Sequence, residues 1–339
     1  MSVATVSPET KETTSRKSVM AFLAERPVVM LLIVLVVFYL FVSAFDHSLL
    51  SAQGARGILL LACPLAVFAG AQTICMLTGG IDLSVSMTGA LVAYIVVDQM
   101  RHGPVVAIIA GLLVGAIVGF INGIGAGIFN VPAMIMTLGM QSVLLGLTTV
   151  ASGANSFLDK SSGLPALVSW LGTGRIGPLP ANFSVFVLVG VLLVFLLART
   201  GLGRNLYAVG DNEKGCRLAG IRVWQVRIAT YVIAGLLAAV AGMLVSGALG
   251  SNAPDMANIY LLPSVAAAVV GGTSVMGGSG GYGGTIVAAL ILTVLDRFLL
   301  TFTVPEAMRQ FVYGLIVLAL AWAYTRMTAG RRVSLGRLG

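Results

Sequence analysis

Charge is what this sequence lacks most. Only 9% of its 339 residues are Asp, Glu, Lys or Arg, whereas 58% are hydrophobic. A soluble domain carries about 25% charged residues, so a water-exposed surface is excluded, and lipid must be the solvent for the outer face. Histidine is nearly absent too. His47 and His102 are the two, with no metal-ligand spacing between them. The three cysteines, Cys63, Cys75 and Cys216, form no CxxC pair and read as small buried thiols. The twelve acidic residues are too scattered to build a carboxylate relay across a membrane. One lysine is missing where it would matter: residues 272–279 begin like a phosphate-binding loop, but Gly278 stands where that loop needs its cation. No ATP site, metal site or catalytic residue is expected on this chain.

What is present is a series of long apolar runs. Crossing the hydrocarbon takes about 20 apolar residues as helix, and ten candidate spans satisfy or approach that length: 27–45, 58–77, 83–97, 104–121, 131–151, 183–198, 228–246, 260–270, 282–302 and 307–324. The fold class is therefore an all-α polytopic membrane protein. Spans 83–97 and 260–270 are short and border glycine-rich stretches, which suits broken or re-entrant helices. Residues 1–26 are polar, have no cleavable apolar core and read as a disordered cytoplasmic tail. The membrane domain runs over 27–325, and 326–339 reads as a basic cytoplasmic tail. With the amino terminus inside, fourteen Lys and Arg fall in inner segments and five in outer ones: Arg56, Arg101, Lys160, Arg175 and Arg309. Both termini are then cytoplasmic, and the formal charge of +8 reflects topology and contact with the lipid bilayer rather than nucleic acid.

Three stretches depart from plain spans. The inner loop 199–227 contains Arg204, Asn205, Tyr207 and Gly210, then Asp211 or Asn212 as the cap of a short helix that passes Arg217 and ends at Gly220. Cys216 and Leu218 are expected on one side of that helix, with Lys214 and Arg217 on another. A basic connector is one reading, and a surface that docks a soluble partner is the other. In Thr78-Gly79-Gly80-Ile81-Asp82-Leu83-Ser84, the glycines break a helix and Asp82 or Ser84 can cap the next. Asp82 is either a solvated structural cap or a polar group on a transport path. Gly271 and Gly272 open a third stretch, whose glycines suit close backbone approach.

The stretch 200–221, the segment Thr78-Gly79-Gly80-Ile81-Asp82-Leu83-Ser84 and Val269-Val270-Gly271-Gly272-Thr273-Ser274 stand in the order found in one family. Over residues 27–324 the chain resembles the permease subunits of bacterial ABC importers for monosaccharides, the ribose, xylose and arabinose type. Asn130-Val131-Pro132, followed by Met134-Ile135-Met136-Thr137-Leu138-Gly139, is similar to another motif of that family. The resemblance implies an inner-membrane location and a second permease copy or homologue. It also implies a periplasmic sugar-binding protein and a sugar-import ATPase subunit that holds ATP and Mg and contacts the 199–227 loop. Thr137 and Gln141, four apart on one helix face, are expected to meet a neighbouring helix or a sugar hydroxyl. Asp296 and Arg297 point about 100° apart: Arg297 is expected to snorkel outward and Asp296 to meet another chain. A branched-chain amino-acid permease of the wider ABC group and an ion-driven secondary transporter remain the alternatives.

Overall fold

The structure, a computed structural model, describes the backbone of residues 27–152, 163–250, 253 and 255–335, and the side chains of these except 151–152 and 321–335. The polar segment 1–26, Lys160 and residues 336–339 lie outside the described residues.

The first helices are α1 (Pro27–Ser43), α2 (Ala52–Leu77), α3 (Val85–Asp98), α4 (Pro104–Gly127) and α5 (Ala133–Ser152). A short helix, α6 (Ala166–Thr173), and a two-stranded antiparallel hairpin, β1 (Arg175–Ile176) and β2 (Leu179–Pro180), precede α7 (Asn182–Arg199). Next come α8 (Gly201–Asp211), α9 (Glu213–Leu218), α10 (Val223–Leu249), α11 (Leu261–Val270), α12 (Tyr282–Thr301) and α13 (Glu306–Leu335). Every expected span is met by a helix, and the fold is an all-α polytopic membrane protein. Among the described residues six helices, α2, α4, α5, α7, α10 and α12, are long and apolar enough to cross a bilayer by length and composition. Helix α6 and the hairpin are not foreseen from hydrophobic runs, because they are too short to carry a period. Helix α13 continues to Leu335, so the first part of the basic segment from 326 is helical.

Local chemistry accounts for the boundaries. Ser51 caps α2, its hydroxyl accepting from the Gly54 amide at 3.1 Å, and Pro104 opens α4 at a position where its missing N–H costs nothing. Helix α3 has 14 residues and α11 has 10, so at 1.5 Å per residue they rise about 21 and 15 Å, short of the roughly 30 Å hydrocarbon core. Both adjoin non-helical backbone at the same end of the bundle, as the glycine-bordered short spans suggested.

Helix α10 lies at the centre, packed against α2, α3, α4 and α6. Its contact with α4 is a glycine ladder with a four-residue step, Gly115, Gly119, Gly123 and Gly127, a face-sharing interval on a helix. A methyl group at Gly115 would lie 2.5 Å from the Gly235 carbonyl oxygen, and one at Gly123 would lie 2.7 Å from the Ile228 Cα. In lipid, where apolar burial gives no drive for helix association, such close backbone packing supplies the cohesion.

Candidate functional site

The end of the bundle that carries α8 and α9 also gathers the helix breaks. Thr200 caps α8 by accepting from the Gly203 amide at 3.1 Å, and Asn212 caps α9 by accepting from the Gly215 amide at 2.9 Å. Gly220 takes φ +80° just past the end of α9. Of the two expected caps, Asn212 is therefore the one used, and a second helix, α8, precedes it. Cys216 is buried whereas Leu218 is 91% exposed. They do not share a side, since residues two apart on a helix point about 200° apart. Glu213 receives Arg217 at 2.7 Å and Arg227 at 2.7 Å, and Arg227 also donates to the Ala126 carbonyl at 3.1 Å, fastening α9 to α10 and α4.

Helix α8 is seated on both breaks at once. The Gly278 amide donates to the Leu77 carbonyl at 3.0 Å, joining the end of α2 to the loop after α11. Gly210 lies against that hydrogen bond: a methyl group there would strike the Leu77 carbonyl oxygen and sit 2.5 Å from the Gly278 nitrogen. Tyr207 donates its hydroxyl to the Gly280 carbonyl at 3.0 Å, and burial raises its phenol above the usual value. Asp211 packs its Cα beside Gly278. Arg204 is exposed and Asn205 half-buried on the same helix. Gly277 and Gly278, at φ +92° and +73°, occupy the left-handed region that this tight turn requires. The stretch that mimics a phosphate loop is thus a backbone junction.

A buried polar network holds the break between α2 and α3. Asp82, 2% exposed, accepts from the Ser84 amide at 2.9 Å and the Ser84 hydroxyl at 2.6 Å. Asn122 of α4 donates to the Ser84 hydroxyl at 2.8 Å, and Gln72 donates to the Asp82 carbonyl at 2.7 Å. Thr137 of α5 accepts from the Leu83 amide at 3.1 Å. Of the two roles considered for Asp82, the solvated cap fails because the carboxylate is enclosed; it organises a turn from inside the protein. Thr137 makes a helix-to-segment contact, while Gln141 is half-buried with no hydrogen bond to a described residue. Gly271 backs onto Gly284 and Thr285, and Gly272 has φ +91°.

Gly79, Gly80 and Asn130, from two separate motifs, meet around a cavity of about 370 Å³ that Arg227 and Tyr231 of α10 complete. Sequence reading missed Arg227 and Tyr231 as site residues. The available signal was a Tyr and an Arg four apart at the start of a span, on one helix face. Beside this cavity a groove of about 510 Å³ is lined by Ile128, Asn130, Arg217, Arg222 and Trp224.

At the opposite end, Arg297 pairs with Asp46 at 2.8 Å, and Asp296 takes Arg309 at 2.6 Å and the Tyr313 hydroxyl at 3.0 Å. The Ser48 hydroxyl and the Arg297 guanidinium hold the Asp46 carboxyl below its usual range. Asp296 was expected to need another chain; its partners are within this one, because α13 packs against α11 and its first turns bring Arg309 and Tyr313 within reach of the end of α12.

A family model described as "Branched-chain amino acid transport system / permease component" matches residues 54–321. The ribose import permease protein RbsC of Escherichia coli (strain K12) is 34% identical over 291 residues, covering 85% of this chain and 90% of that one. The autoinducer 2 import system permease protein LsrC of Salmonella typhi is 33% identical over 295 residues, covering 85% and 83%. No solved structure matches the chain.

Proposed function

Because the chain belongs to the family of branched-chain amino acid transport system permease components, a permease and not an enzyme, we propose that it is the membrane-spanning subunit of an ATP-driven sugar importer. The observation that carries this reading is the 34% identity to a ribose import permease along nearly the whole of both chains. The setting is a bacterial inner membrane, with both termini on the cytoplasmic side as the distribution of basic residues favours. A second permease copy or homologue completes the pathway, and a periplasmic sugar-binding protein delivers the solute. ATP and Mg belong to a partner ATPase. That partner docks on the face where Leu218 and Phe129, 91% and 72% exposed, stand among Lys214, Arg217 and Arg222. An exposed apolar centre rimmed by charge is the usual anatomy of a protein interface.

The seating of α8 supports alternating access. Closure of the ATPase dimer displaces α8, and its contact at Gly210 passes the movement to the ends of α2 and α11. Asp296 and Arg297, late in α12, are each paired within the chain, which suits a neutral solute better than an ion.

The test is uptake into proteoliposomes holding the permease with its ATPase and binding protein. ATP-dependent entry of labelled D-ribose supports the proposal. The family description favours a second reading, branched-chain amino-acid import, for which L-leucine would enter instead. The short helices α3 and α11 are what a secondary transporter would offer, and uptake that persists without the ATPase would establish that reading.

A further inference from the structure

We propose that the cavity enclosed by the α2–α3 break, the α4–α5 turn and α10 is a binding pocket for a neutral polyhydroxylated solute, with the Tyr231 hydroxyl as a hydrogen-bonding group to it. The inference rests on the import reading above and names the place in the chain where the solute is held.

Its volume, about 370 Å³, falls in the range of roughly 300–1,000 Å³ typical of small-molecule sites. Tyr231 is 2% exposed and lines this cavity, yet its hydroxyl makes no hydrogen bond to a described residue. Buried phenol hydroxyls are nearly always partnered, so a group enclosed to this degree and left free toward a cavity is poised for a ligand. Gly80 keeps that hydroxyl within reach: a methyl group there would lie 2.6 Å from it. Thr78, Gly79 and Gly80 bring non-helical backbone to the wall, with Gly79 at φ +78°. Asn130 commits its amide nitrogen to the Ile128 carbonyl at 3.3 Å and keeps its side-chain oxygen as an acceptor.

The pocket carries no net charge. Its one cation, Arg227, is matched by Glu213 at 2.7 Å, so neither an anion nor a cation is selected. The remaining wall, which includes Val131, Pro132, Ala133 and Val275, is apolar. Hydroxyl partners on one side and a hydrocarbon surface on the other match the two kinds of face a sugar ring presents.

The experiment uses the complete importer in proteoliposomes. Asn130→Cys places a thiol at the exposed rim, while Cys63, Cys75 and Cys216 are buried, and the otherwise unchanged protein gives the labelling background. Labelling by a maleimide is timed with millimolar D-ribose or with L-leucine. D-ribose should slow labelling severalfold and L-leucine should not, and Tyr231→Phe in the same background should remove the protection. In the otherwise unchanged importer, Tyr231→Phe should raise the KM for D-ribose uptake roughly two- to tenfold, the worth of one hydrogen bond. If D-ribose is imported but neither protects nor responds to Tyr231→Phe, the pocket is overturned and the import reading stands. If L-leucine protects equally, the polyol assignment is overturned. If D-ribose is not imported at all, the sugar reading fails and takes the polyol assignment with it.

Discussion

Replacing Gly210 by valine tests how movement crosses this protein. The residue faces the Leu77 carbonyl and the Gly278 amide, which are themselves hydrogen-bonded at 3.0 Å. A first side-chain carbon would lie 2.5 Å from the Gly278 nitrogen, against 3.4–4 Å for ordinary contact. Relief requires α8 to back away by about 1 Å or the Leu77–Gly278 bond to open. Overpacking of this kind costs about 1–3 kcal/mol. Spent on the balance between two conformations rather than on unfolding, the same energy changes a coupled equilibrium about 5- to 150-fold. Reconstituted with its ATPase and binding protein, Gly210→Val should therefore assemble and melt near the parent temperature. Its solute-stimulated ATP hydrolysis and its uptake should both fall within that range. Gly139→Ala is the control, because a methyl group there meets nothing within 4 Å. Uptake and stimulated hydrolysis equal to the parent in Gly210→Val would refute the claim that α8 drives the two breaks through this junction.

Two further outcomes concern stability. Asp82→Ala removes the acceptor for both the amide and the hydroxyl of Ser84 and should cost about 1–3 kcal/mol for the orphaned groups, seen as a lowered Tm in detergent; Asp82→Asn, which keeps an acceptor oxygen, should recover much of it. Gly115→Leu forces α4 away from α10 and should lower Tm further, by an overpacking cost of about 1–3 kcal/mol or more, whereas Gly146→Ala, with open space around it, should leave Tm unchanged.

Much of this molecule is legible in its residue order, and particular residues show where legibility ends. Asn212 and Gly220 delimit α9 because capping and the left-handed turn are decided within a few residues. The breaks at Gly79–Gly80 and Gly271–Gly272 are visible for the same reason. The glycine ladder of α4 was also open to reading from its four-residue step. Leu218 and Cys216 were misplaced because composition was weighed without the helical angle between them. Asp296 was assigned to another chain because Arg309 reaches it only once α13 has packed against α11. Tyr231 carried a signal only through its spacing from Arg227: taken alone, a tyrosine at the start of an apolar span looks like any interfacial aromatic until the opposite wall is known.

Residue order by itself determined the lipid solvent, the ten apolar spans, the cap of α9 and the family, since hydropathy and capping act over distances shorter than one span. Only the tertiary structure decided that Gly210 touches Leu77 and Gly278, that Asp82 faces inward, and that Gly80, Asn130 and Tyr231 share one cavity. Those residues are separated by tens to well over a hundred positions. Their meeting depends on which helices lie side by side, and in lipid that is selected by close backbone packing across the whole bundle rather than by any local run of sequence.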